Sequence, residues 1–366
     1  MKGPAADLRP TLPASPGGPI ASLRALWKRA RDKQGLSAIV GQTPHSVVWA
    51  ENKWKLMRFQ PVIKRFATPI LMIPSLINRW YVLDLGPGRS LIEWLVAQGH
   101  EVYCIDWGTP SAEDRFLTWD DIGGRYLGRA IRVAARTSGV DDIHVLGYCL
   151  GGLLATAYVA AFPAHVKSLV ALAAPVDFSR AGIMAQWTRT PTFDIQSIVD
   201  AFGNVPHQLM QASFTMLRPT LGAAKAVSVL DRAWNDEFLD GFLATEKWGN
   251  DNVSFPGACY ARYVDELYRG NRLVNGTFTV LGRPARLENL RVPTLAIAFT
   301  DDNIVPVASA QPLIDLVGAR DKQILVARGG HVGAVVSRKA STTLWPAFST
   351  FWAQRDGSPA TAGRAP

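Results

Sequence analysis

Cys149 stands in the run Gly147-Tyr148-Cys149-Leu150-Gly151-Gly152, between an apolar stretch, His144-Val145-Leu146, and an Ala/Leu-rich one, Leu153 to Phe162. The pattern predicts a strand, a sharp turn and a helix. In such an elbow the middle residue takes a strained conformation that lifts its side chain above the sheet, and the flanking glycines let the turn close. A thiol where serine is usual narrows the chemistry, because a thiolate is a soft nucleophile and a fair leaving group that passes an acyl group on readily. Acyl transfer is favoured over hydrolysis.

Such a nucleophile needs a base, and the chain has six histidines. His45 precedes the core, His100 lies in a helix-to-strand turn, His144 is inside the elbow strand, His165 starts another strand, and His207 falls in an inserted region. His331 alone follows the last strand, in the loop Arg328-Gly329-Gly330-His331-Val332-Gly333. Asp301 and Asp302 compete for the acid role. Asp302 is preferred because it opens Asp-x-x-Val-Pro, a turn in which the carboxylate leaves a strand end while Val305 and Pro306 return the chain to a helix; Asp301 then reads as a turn residue. Cys149, Asp302 and His331 follow one another as nucleophile, acid and histidine. An oxyanion formed at Cys149 would need backbone donors, for which the Leu150 N–H and one from the loop near Leu76 or Ile77 are candidates.

These residues must be held by regular elements. Ser46 to Trp49 and Lys55 to Phe59 read as an antiparallel pair, and Pro69 to Ile73 as a third strand. Helices are expected over Leu91 to Gln98, Gly123 to Thr137 and Ala340 to Trp352, and strands over Glu101 to Asp106, Asp142 to Tyr148, Val166 to Ala173, Thr294 to Thr300 and Lys322 to Ala327. The strands are dense in Val, Ile and Leu and alternate with helices, which calls for a mostly parallel sheet covered on both faces. Cys149, the aspartate pair and His331 all fall where strands end and loops begin, the usual place for reactive groups in an open parallel sheet. The alternation breaks over 176–290, which reads as a mainly helical cap inserted into an α/β-hydrolase fold, with helical pieces at Asp194 to Phe202 and Leu221 to Leu230. Its aromatics, Trp187, Phe193, Trp234, Phe238, Phe242, Trp248 and Phe255, are expected mostly to fill the cap's own core.

The 366 residues, 48% hydrophobic and 19% charged, suit a well-filled globular core. Three widely spaced cysteines suggest neither a disulfide framework nor a metal site. A reducing, cytoplasmic compartment is therefore expected, and no apolar run reaches the roughly 18 residues needed to span a bilayer, so a soluble protein is expected. Of the net charge of +9, more than half sits in Met1 to Leu36. There, residues 1–42 read as a flexible lead-in followed by a basic helix, Ile20 to Gln34. Ile20, Leu23, Leu26, Trp27 and Ala30 share one face of that helix, suited to a partner helix, to a hydrophobic surface, or to packing on its own domain. No finger, helix-turn-helix or RNA-binding signature accompanies the charge, so nucleic acid is not expected as a partner. Residues 43–356 form the expected catalytic domain, and 357–366 a polar tail.

The elbow, the run Ile77 to Leu85, the stretch His100 to Trp107, the Asp-x-x-Val-Pro turn and the Gly-Gly-His-Val-Gly loop together resemble the polyhydroxyalkanoate synthases, from about Thr43 to Trp352. The chain length is similar to that of the short catalytic subunits of the two-subunit synthases, whereas Trp248 to Gly257 looks more like the long single-subunit enzymes. The resemblance implies an acyltransferase that polymerises (R)-3-hydroxyacyl-coenzyme A with release of coenzyme A. Cys149 would carry the growing chain, His331 would generate its thiolate, and Asp302 would activate the 3-hydroxyl of the incoming monomer. It further implies no cofactor beyond the coenzyme A thioester itself, a homo-oligomer, a possible small second subunit, and a place at the surface of polyester inclusions. Two other readings remain: a cysteine-dependent thioesterase or intracellular polyester depolymerase using the same triad, and a non-catalytic inclusion-binding protein in which the basic N-terminal helix is the functional part.

Overall fold

The structure is a computed structural model and describes residues 17–31, 40–217 and 221–356. Its elements are α1 (Gly18–Arg31), β1 (Ser46–Glu51), β2 (Trp54–Phe59), β3 (Ile70–Ile73), α2 (Leu91–Ala97), β4 (Val102–Asp106), α3 (Leu127–Ser138), β5 (Ile143–Tyr148), α4 (Leu150–Ala161) and β6 (Val166–Leu172). The inserted region follows, with α5 (Gly182–Thr188), α6 (Ile195–Phe202), α7 (His207–Met216), α8 (Leu221–Arg232), α9 (Asp236–Asn250), α10 (Gly257–Arg262) and a small hairpin, β7 (Thr279–Val280) and β8 (Arg283–Pro284). The sheet then resumes with β9 (Thr294–Phe299), α11 (Val307–Ala310), α12 (Pro312–Leu316), β10 (Lys322–Ala327), α13 (Gly333–Val336), α14 (Ala340–Thr343) and α15 (Trp345–Asp356).

Eight strands form one sheet in the order β1-β2-β4-β3-β5-β6-β9-β10. The β1–β2 and β2–β4 pairs are antiparallel; every other pair is parallel. This is the α/β architecture expected from the alternation of strands and helices. Every residue of β3, β5 and β9 is buried, which explains why these strands read as unbroken apolar runs rather than alternating ones. Because β5, β9 and β10 run in the same direction, their C-terminal ends deliver the elbow, the Asp302 turn and the His331 loop to one edge of the sheet.

The elbow closes only because of its glycines. A Cβ on Gly151 would collide with the Ile73 carbonyl, and one on Gly152 would lie 2.5 Å from the Ala174 Cβ. Backbone cannot give way as a flexible side chain can. Gly151→Ala is therefore expected to cost about 3 kcal/mol or more of stability, read as a lowered midpoint in denaturant unfolding.

Two expectations need correction. The closing helix expected over Ala340 to Trp352 is two helices, α14 and α15, with Leu344 between them at φ −118°. Pro346 is the cause: it lacks the N–H needed to continue the ladder, and its fixed φ suits it to the first turn of a new helix. The helix expected to begin at Gly123 begins at Asp120 with a wide, π-helical stretch, Asp120–Tyr126, that runs directly into α3.

By contact density the chain divides into two compact units, one of 1–38 with 218–247 and one of 39–217 with 248–366. The inserted stretch 176–290 is thus shared between them. In the first unit α1 packs on α8, with the Ser22 hydroxyl buried and accepting from the Trp234 N–H at 3.2 Å. Ile20, Leu23 and Trp27 remain exposed while Leu26 is half-buried, so the apolar face of α1 is only partly covered. The expected lead-in before Gly17, the end of the basic helix over 32–34 and the polar tail 357–366 lie outside the described residues. Among the described residues no helix is long and apolar enough to cross a membrane.

Candidate active site

Cys149 sits between β5 and α4 at φ 55°, ψ −125°, a conformation that L-residues rarely adopt. The strain is held from both sides: the Cys149 N–H donates to the Leu172 carbonyl at 2.9 Å, and the Cys149 carbonyl accepts from the N–H groups of Gly152 and Leu153. Cys149 is partly exposed. Leu150 is the first residue of α4, where N–H groups have no partner within the helix. Its N–H is available to an oxyanion.

His331 and Asp302 meet at this edge. The His331 Nδ1–H donates to Asp302 Oδ2 at 2.7 Å, leaving Nε2 for the sulfur. Asp302 Oδ1 accepts from the Ile304 and Val305 N–H groups, each at 2.8 Å, so the carboxylate is buried with three donors. This turn is the one the Asp-x-x-Val-Pro spacing describes. Asp301, by contrast, is exposed. Burial opposes a charged His331, but the Cys149 thiolate and the Asp302 hydrogen bond outweigh it and push the imidazole up to about 10.

The other two cysteines are inert. Cys104 and Cys259 are buried, and burial pushes both thiols up. Alkylation of the native protein by iodoacetamide should therefore read Cys149 alone. At pH 7 His331→Gln, which removes the base beside the sulfur, is expected to slow it markedly. An unchanged rate would mean that His331 does not charge the sulfur.

Cys149, Ile77 and Leu150 line one pocket. Its remaining wall is almost wholly apolar or aromatic, including Met184, Met210, Phe255, Tyr260, Tyr263 and Tyr268. Of the seven cap aromatics singled out in the sequence, Phe255 alone lines it. The three tyrosines were not anticipated. They lie at 260, 263 and 268 with Val264 and Leu267, one face of a continuous helical stretch, and that spacing is the sequence signal that marks them. Burial pushes the phenols of Tyr263 and Tyr268 well up and that of Tyr260 up to about 12, so all three stay neutral.

Tyr148, which precedes Cys149 in the elbow, was also not anticipated. Its hydroxyl donates to the His331 carbonyl at 3.2 Å and its ring lies 5.4 Å from the imidazole, tying the histidine loop to the nucleophile's strand. Ile77, the second oxyanion candidate, lines the cavity, and its carbonyl accepts from the Val253 N–H at 3.1 Å. Among the described residues no group of three or more His, Cys, Asp or Glu side chains could hold a metal ion.

Residues 68–336 match the family model of the alpha/beta hydrolase fold, and residues 28–95 match that of the N-terminus of poly-beta-hydroxybutyrate polymerase. A poly(3-hydroxyalkanoate) polymerase subunit of Haloferax mediterranei is 35% identical over 319 residues, 86% of this chain and 65% of that protein. One of Synechocystis sp. is 36% identical over 324 residues, 86% of each chain. Among solved structures, the monoacylglycerol lipase of Paleococcus ferrophilus is similar in fold, with a TM-score of 0.51 at 16% identity, covering 82% of this chain and 99% of that one.

Proposed function

The chain belongs to the poly(3-hydroxyalkanoate) polymerase family, and from that premise we propose that it links (R)-3-hydroxyacyl units from their coenzyme A thioesters into polyester through acyl-Cys149. The observation that carries this reading is a strained, partly exposed Cys149 that lines an apolar pocket beside a carboxylate-held imidazole. The Cys149 thiolate attacks the thioester carbonyl and forms a tetrahedral oxyanion, with the Leu150 N–H and a donor from the Leu76–Ile77 loop as its partners. Collapse breaks the bond to the coenzyme A sulfur, which leaves with the proton from the His331 imidazolium.

His331 is then neutral, and its Nε2 can take the proton from the 3-hydroxyl of another monomer or chain. That oxygen attacks the acyl-cysteine, forms the ester and restores the thiolate. Asp302 orients the imidazole in both steps. Its three accepted hydrogen bonds support this role over direct contact with the substrate hydroxyl. No cofactor is needed, since the thioester already carries the activated carbonyl. The apolar wall favours an alcohol over water as acceptor by keeping water scarce near the acyl-cysteine. We place the enzyme at the surface of its polyester, as a homo-oligomer alone or with a second subunit, a partner consistent with the description of its relatives as subunits.

The test is to incubate purified protein with (R)-3-hydroxybutyryl-coenzyme A, with and without candidate second subunits, following thiol release and turbidity. Thiol release with insoluble polymer supports the polymerase. Thiol release with an equal amount of soluble hydroxy acid would make the protein a hydrolase.

A further inference from the structure

Two sequence stretches singled out above meet beside the site, Ile77 to Leu85 and Trp248 to Gly257, and each gives the pocket one lining residue, Ile77 and Phe255. The Val253 N–H donates to the Ile77 carbonyl at 3.1 Å, and the Trp248 indole N–H donates to the Arg79 carbonyl at 3.1 Å. Asn78 bonds Asn252 side chain to side chain. Asp251 binds the loop with both oxygens: Oδ1 accepts from Arg79 Nε at 3.1 Å, and Oδ2 accepts from the Tyr81 hydroxyl at 2.6 Å. Burial, and then the bond to Asp251, push the Tyr81 phenol well up, so it remains a donor.

We infer that Asp251 is a positioning residue, through which the segment before α10 holds the Leu76–Ile77 loop at the distance from Cys149 that an oxyanion donor requires. The inference rests on the acyl-cysteine reading above but not on polymer formation. Three features carry it. The contacts converge on four residues, Ile77, Asn78, Arg79 and Tyr81, from a single segment, Trp248 to Val253. They fix the carbonyls of Ile77 and Arg79, and so the peptide planes just beyond the candidate donor. The Asp251 side chain is 41% exposed, so it is not part of the core, and an ion pair this exposed adds little to folding.

A displaced donor impairs acylation but leaves the thiolate intact, and two reactions separate these. Acylation of Cys149 by an acyl-coenzyme A thioester passes through an oxyanion; alkylation by iodoacetamide needs only the thiolate. For Asp251→Ala, single-turnover acylation is expected to fall roughly 10- to 100-fold, while alkylation stays within about twofold and the thermal midpoint falls modestly, because the Tyr81 hydroxyl loses its acceptor. Asp251→Asn keeps an acceptor for Tyr81 while losing the charge opposite Arg79, and it should fall between Asp251→Ala and the wild type.

Equal losses of acylation and alkylation would show general damage and overturn the inference, as would unchanged acylation. If the wild type is acylated at Cys149 but makes no polymer, the polymerase reading fails while this test still stands. If the wild type is not acylated at all, the acyl-cysteine reading itself fails.

Discussion

Cys149→Ala should abolish coenzyme A release from (R)-3-hydroxyacyl thioesters, with a loss of about 10⁵-fold or more, as when the nucleophile of a catalytic triad is removed. The size of the loss follows from the role. Removing the sulfur removes the covalent intermediate, and neither the Leu150 donor nor the neighbouring imidazole can replace it. Folding should be almost unaffected: Cys149 is partly exposed, and alanine removes one atom. Because L-residues resist φ 55°, glycine at this position would stabilise the turn while also removing the nucleophile. A non-catalytic inclusion-binding protein would behave differently, since its activity in cells would survive Cys149→Ala. Thiol release by the purified variant and polymer content in cells expressing it both report on this.

The second large effect is expected at the carboxylate. Asp302→Asn keeps the shape of the side chain, but its amide can present an N–H to the His331 Nδ1 and select the wrong tautomer, a change worth about 10⁴-fold in a related triad. Two steps distinguish the possible roles of Asp302. If it orients His331, first-turnover acylation and later elongation should fall together, because both use the imidazole. If it acts on the substrate hydroxyl alone, the first release of coenzyme A should remain fast and elongation should stop. The bonds from His331 Nδ1, Ile304 N–H and Val305 N–H to this carboxylate support the first outcome. Rapid-quench measurement of coenzyme A against polymer length separates them.

How much of this was legible in the sequence depended on how local each constraint is. The elbow is set by its own residues, since Gly147, Gly151 and Gly152 meet backbone or a methyl wherever a Cβ would be placed; the motif states its geometry. Asp302 was legible for a similar reason: its Oδ1 closes the turn onto Ile304 and Val305, and that short-range bond is what the Asp-x-x-Val-Pro spacing encodes. His331 emerged by elimination once strand ends were placed.

The chamber was not legible in the same way. Whether a cap aromatic faces Cys149 or the cap's own core depends on packing between distant segments, and Tyr260, Tyr263 and Tyr268 were passed over although their helical spacing was present. The Tyr148 bond to the His331 carbonyl joins residues 183 apart, and the Asp251 bond to Tyr81 joins residues 170 apart. No local pattern announces either. The apolar face of α1 shows the converse, a clear periodicity whose covering partner cannot be read from the helix itself: the face is only partly covered, and Ile20, Leu23 and Trp27 stay exposed.

The claim on which all of this rests is that Cys149 bears the growing chain. The direct test is to quench the enzyme during turnover of (R)-3-hydroxybutyryl-coenzyme A at acid pH, digest it, and weigh the peptide containing Cys149. The account predicts a ladder of adducts on that peptide, spaced by one hydroxybutyrate repeat and absent from the peptides of Cys104 and Cys259. Continued release of coenzyme A with an unmodified Cys149 peptide would contradict it.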